Sequence, residues 1–124
     1  MQFQNTLVIP PLTSEDNPVI ASQLLDVGTL DSLDIRFPDG CVSLVHFAAK
    51  MKSGQLVPWN QDGSIASNDH VAHVPLNLKI DQPPMELYFY GWSDDDTYTH
   101  TLLVLTNWLP KGIQTIGQLL LAGV

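Results

Sequence analysis

The segment GWSDDDTYTH, residues 91–100, sets Asp94, Asp95 and Asp96 between an aromatic run and a Thr/Tyr/His run. Carboxylates at that density invite a cation. Calcium takes about six to eight oxygens arranged around it, and three adjacent carboxylates at the tip of a turn cannot all point at one ion. Asp62 and Asp69 lie in a second polar loop and join only if the fold brings the loops together. NQDG, residues 60–63, matches part of an EF-hand loop, but Pro58 stands where the first aspartate belongs and no glutamate closes the loop. No metal ligand is assigned on this basis. A calcium ion stapling the Asp-rich loops is the one metal role left open.

The other reactive side chains are sparse. His70 and His73 are three apart, which in a strand puts them on opposite faces. His46 and His100 stand alone on apolar stretches, where a packed, hydrogen-bonded histidine is the ordinary outcome. Cys41 is the single cysteine, so an internal disulfide and a thiolate zinc site are both excluded. Beside a turn it reads as a small buried residue. No nucleophile elbow, P-loop or dinucleotide-binding glycine pattern occurs. A glycosidase needs two carboxylates across a cleft, yet nearly all acids here fall in turn-like contexts. Glu86 is the exception, alone beside an aromatic face. The chain reads as non-enzymatic, with no cofactor.

The rings offer a second kind of chemistry. Residues 85–92 (MELYFYGW) and 97–109 (TYTHTLLVLTNWL) are the strongest strand signals. If residues 93–96 form a four-residue hairpin loop, Trp92 faces Thr97, Tyr90 faces Thr99 and Tyr88 faces Thr101. One face then carries Met85, Leu87, Phe89 and Gly91, and the other Tyr88, Tyr90, Trp92 and a threonine ladder. Large rings with hydroxyls suit a protein interface or stacking on a sugar, and they also suit a second core layer with satisfied hydroxyls. Trp59, Tyr88, Tyr90, Trp92 and Tyr98 are the candidate interface or glycan-stacking residues.

These side chains must be positioned by strands. Residues 3–9 read as a first strand, ended by Pro10 and Pro11. Residues 19–27 fit a strand or two helical turns equally. In DSLDIRF, Leu33, Ile35 and Phe37 alternate against Asp34 and Arg36, as in a half-buried antiparallel strand. PDG, residues 38–40, turns the chain. Residues 42–51 (VSLVHFAAKM) are apolar on both sides and read as a central strand covered on both faces. Further short strands follow around QLVPW and HVAHVPLNLKI. About eight or nine strands punctuated by turns indicate an all-β fold, an antiparallel, jelly-roll-like β-sandwich.

The chain has 124 residues, 44% of them hydrophobic, and a net charge of −8. That length fits one domain with its own core. The five basic residues are scattered, which argues against nucleic acid and against an anionic membrane. The N-terminus lacks the basic and long apolar regions of a signal peptide, and the single thiol fits synthesis in a reducing cytosol. The β-sandwich is expected over residues 1–111. Residues 112–124 (GIQTIGQLLLAGV) differ: apolar and uncharged, they form either a final strand or helix on the chain's own core, or an arm docking on a neighbouring subunit. Ile113, Ile116, Leu119, Leu120 and Leu121 are the candidate arm residues.

The combination of RFPDGCVSLVHF, VPWNQDG and PPMELYFYGWSDDDTYTH in so short a chain resembles the small β-sandwich capsid decoration and auxiliary proteins of tailed bacteriophages, over roughly residues 20–110. The resemblance implies a jelly-roll-like fold, no catalysis, and assembly on a capsid surface as symmetric trimers or other oligomers, in the virion after synthesis in the host cytoplasm. It carries no site residues. The expected function is therefore a phage structural protein binding itself and other capsid proteins. The alternative is a carbohydrate-binding module using the exposed rings.

Overall fold

The computed structural model describes residues 2–52, 54–58, 63–81 and 85–110. Among them are nine strands and no helix: β1 (Gln2–Ile9), β2 (Val19–Leu25), β3 (Gly28–Phe37), β4 (Val45–Met51), β5 (Gly54–Val57), β6 (Ile65–Ala66), β7 (His70–Ile80), β8 (Met85–Ser93) and β9 (His100–Pro110). One sheet has the order β1-β9-β3-β7 and the other β2-β8-β4-β5, with β6 paired to β4. All pairings are antiparallel. Successive strands pass from one sheet to the other along most of the chain, which is the interleaving of a jelly roll.

Residue parity builds the core. On β3, Leu33, Ile35 and Phe37 point inward while Asp34 and Arg36 point out. A bulge between Leu30 and Ser32 resets the phase, so Leu30 is buried as well. Leu7 and Ile9 of β1 and Leu102 and Val104 of β9 complete that layer. Phe47 of β4 and Leu87 and Phe89 of β8 meet it from the other sheet, with the two phenylalanine rings 6.0 Å apart. Each such side chain, fully buried, stabilises the fold by about 1.5–3 kcal/mol. Pro75 is tolerated because β7 is an edge strand and Pro75 lies opposite Ser32, at the bulge.

Gly91 shows how closely the sheets approach. It faces inward, and a Cβ there would lie 2.5 Å from Ile9 Cδ1. A Cβ here would crowd the end of the Ile9 side chain, so glycine lets β8 lie close over β1 at this point.

Two sequence expectations are revised, and one left open between strand and helix is decided. Residues 85–92 and 97–109 do not form a hairpin: β8 pairs with β2 and β4, and β9 with β1 and β3. Both hydrogen-bonding edges of each strand are already used, so the loop at residues 94–99 crosses between sheets and no threonine ladder faces the rings. The alternation along β8 itself holds, with Leu87, Phe89 and Gly91 inside. Residues 42–44 are not strand but a tight turn, and the outward side of β4 carries half-buried His46 and Lys50 rather than a second core. Residues 19–25 are strand, not helix. The expectations for Trp59 and for Ile113, Ile116, Leu119, Leu120 and Leu121 lie outside the described residues.

Candidate functional site

Parity on β8 turns Tyr88, Tyr90 and Trp92 to the outer face of their sheet. The neighbouring strands decide what surrounds them. Across β4, Trp92 lies opposite His46, Tyr90 opposite Ala48 and Tyr88 opposite Lys50. Across β2, Tyr90 lies opposite Ile20 and Tyr88 opposite Ser22. Ala48 is the small member of this set and sits almost fully covered between large neighbours. The result is a shallow groove of ≈ 110 Å³ lined by Tyr90, Trp92, Ala48, Lys50, Glu15, Pro18 and Gly63.

Neighbouring side chains brace the rings of the groove. His46 stacks on Trp92, with ring centroids 5.5 Å apart and planes 12° from parallel. Both ring nitrogens of His46 are held, Nδ1 at 3.0 Å from Ser64 Oγ and Nε2 at 2.8 Å from Asp94 Oδ2. Lys50 Nζ sits over Tyr90, 5.0 Å from the ring centroid. The Tyr88 hydroxyl donates to Glu86 Oε2 at 2.8 Å, and that hydrogen bond holds the phenol pKa above its ordinary value. Glu86 is thus a partner of Tyr88 rather than an isolated acid.

A second surface lies at one end of the sandwich, where the loops at residues 10–18, 38–44, 67–69 and 94–99 meet. Backbone hydrogen bonds stitch them: Leu12 N donates to Asp95 O at 2.8 Å, Asp94 N to Leu44 O at 2.9 Å, and Ser43 N to Ser67 O at 3.3 Å. Asn68 Oδ1 accepts from both Gly40 N and Val42 N at 2.9 Å. Within this lattice the aspartate run has divided roles. Asp95 is buried, and its Oδ2 accepts from His100 Nε2 at 2.6 Å while Oδ1 accepts from Thr97 N at 2.9 Å. The bond from His100, then that from Thr97, hold its carboxyl below the usual range. Asp94 braces His46, and Asp96 Oδ1 accepts from the Thr97 hydroxyl at 2.7 Å. Among the described residues no three His, Cys, Asp or Glu side chains converge as a metal site. Cys41 is buried here too, and burial, then the charges of Asp39 and Asp95, push its thiol pKa up.

This loop end shows solvent both acids (Glu15, Asp16, Asp39, Asp69, Asp94 and Asp96) and large hydrophobic side chains. Leu12, Val42 and Tyr98 are each about two-thirds exposed, and Leu44 is exposed as well. Leu12, Val42 and Ser43 hold positive φ values of 56°, 47° and 58°, a region that costs ordinary L-residues about 1–2 kcal/mol and is an outlier for a β-branched valine. Tyr98 was legible as an aromatic candidate, but it belongs to this end and not to the groove. Val42 and Leu44 escaped the sequence reading because an apolar VSL before VHF looks like strand, and Leu12 because it falls in a turn-rich connection after Pro10 and Pro11. No signal in the chain announces a valine in the left-handed region. No protein-family model matches the sequence and no curated protein matches it, so these two surfaces carry the functional reading by themselves.

Proposed function

We propose that the protein is a non-enzymatic structural protein of a phage virion, a decoration or accessory subunit that self-associates and binds capsid proteins through its loop end. The observation that carries this reading is the set Leu12, Val42, Leu44 and Tyr98, apolar, solvent-facing and gathered on hydrogen-bonded loops at one end of the sandwich. Two of the four sit on strained backbone. Strain and exposed hydrophobic area both cost stability, and clusters of this kind belong to interaction sites. The net charge of −8 keeps such a subunit soluble and repels packaged nucleic acid. Jelly rolls serve in viral capsid and lectin domains alike, so the fold adds analogy only.

The test is composition and assembly. Mass spectrometry of purified particles made from the genome that encodes the chain should find it in stoichiometric amounts. Sedimentation of the purified chain at micromolar concentration should show a concentration-dependent oligomer. A monomer that is absent from the particles would overturn the proposal.

A further inference from the structure

We propose that the groove between Tyr90 and Trp92 is a binding site for one neutral pyranose ring of a glycan. The inference goes beyond the assembly reading and does not rest on it: Glu15 and Pro18 come from the loop at residues 10–18, but Leu12, Val42, Leu44 and Tyr98 are not among the groove-lining residues.

Size comes first. Drug-sized ligands occupy cavities of roughly 300–1,000 Å³, whereas this groove encloses ≈ 110 Å³ and is open to solvent. It holds a single ring, with the rest of the ligand outside. Chemistry comes second. Two aromatic side chains form its walls around the small floor residue Ala48, and the negative face of an aromatic ring attracts the weakly positive C–H face of a saturated ring. A carboxylate, Glu15, and an ammonium, Lys50, also line it, an acceptor and a donor for hydroxyls at the ring's edge.

Charge then selects among ring-shaped ligands. Lys50 covers one face of Tyr90 at 5.0 Å, so a cationic ligand meets a like charge there, and the pyranose is left the ring's other face. Glu15 and the chain's overall charge of −8 repel sugar acids and nucleotides. One acid and one base in the lining leave a neutral polyhydroxylated ring as the complementary ligand. Pre-organisation comes last. The His46 stack, clamped by Ser64 and Asp94, holds Trp92 in place before any ligand arrives, which lowers the ordering cost of binding.

The experiment is saturation-transfer difference NMR on the full chain with methyl glucoside, methyl galactoside and methyl mannoside at about 0.1–10 mM, with glucuronate, choline and a triproline peptide as competitors of other chemistry. At least one neutral pyranoside should give saturation transfer, strongest on the C–H protons of one ring face. Tyr90→Ala should weaken binding about tenfold or more, the loss of one stacking wall, and Val71→Ser on the opposite sheet should leave it unchanged. Lys50→Ala provides a second variant should Tyr90→Ala fold poorly, with a smaller loss expected. Saturation transfer from none of the pyranosides, or from choline, glucuronate or triproline in their place, would overturn the proposal. So would pyranoside binding that survives both groove variants.

Discussion

Replacing Gly91 with alanine tests whether Tyr90 and Trp92 really face outward, because adjacent strand residues face opposite ways. The added Cβ would lie 2.5 Å from Ile9 Cδ1, 3.2 Å from Ile9 Cγ1 and 3.4 Å from Leu7 Cδ1. The nearest atom is the end of a flexible side chain, so Ile9 can turn aside, but only into a core already filled by Leu7 and its neighbours. Overpacking of this kind costs about 1–3 kcal/mol. Narrowing the unfolded ensemble by removing a glycine returns about 0.4–1 kcal/mol, so the clash wins and a net loss of about 1–2 kcal/mol is expected. Ile9→Val deletes the Cδ1 atom itself and alone costs about 0.5–1.5 kcal/mol. In the double variant the new methyl occupies the space that the lost methyl vacates. The double variant should therefore be at least as stable as Gly91→Ala alone, a favourable coupling of about 1 kcal/mol or more. Urea unfolding followed by tryptophan fluorescence, with unchanged m-values, measures all four corners of the cycle. Additivity within about 0.5 kcal/mol would mean that Gly91 does not meet Ile9, and the outward placement of the rings would fall with it.

Three further outcomes follow from the same structure. Gly28→Ala should be worse than Gly91→Ala, at about 3 kcal/mol or more, because its Cβ would run into the backbone oxygen of Leu109 and sit 2.8 Å from Trp108 Nε1; thermal melts rank the two. Cys41, fully buried with its thiol pKa raised, should resist alkylation at neutral pH in the folded protein and react on unfolding; rapid native-state labelling would contradict its placement. Asp95, whose carboxyl is more acidic folded than unfolded, contributes stability that is present above the unfolded carboxylate pKa and lost as pH falls through the folded one. Asp95→Asn should accordingly unfold at lower urea at neutral pH, and its deficit against the wild type should shrink on acidification; a constant deficit would show that the charge is not what matters.

The layered β architecture was legible because strand alternation is a local property. Leu33, Ile35 and Phe37 against Asp34 and Arg36 announce a half-buried strand, and the structure places them so. The inside and outside of β8 were legible for the same reason. Pairing was not, because two strongly apolar strands joined by a polar loop look like a hairpin whether they pair or part. The topology is set by competition for strand edges across the whole chain, and β2, β4, β1 and β3 take the edges that a hairpin would use. The aspartate run misled for a related reason. Three identical side chains look like one feature, yet Asp95 is buried on His100, Asp94 holds His46 and Asp96 stays exposed. The loop end was the least legible part. Its residues come from four separate segments, and its backbone strain leaves no mark in composition.

The central claim, that exposed hydrophobic side chains are held on strained backbone at the loop end because they bind protein, is tested most directly by Leu12→Asn with Val42→Asn. Asparagine tolerates the left-handed region better than leucine or valine, so the double variant should be as stable as the wild type or more stable, by up to about 1–2 kcal/mol per site. Binding of this variant to purified virus particles lacking the chain, read by co-sedimentation beside the wild type, is the decisive measurement. The account predicts saturable binding by the wild type, lost or sharply weakened in the more stable variant. Equal binding by both, or none by the wild type, would contradict it.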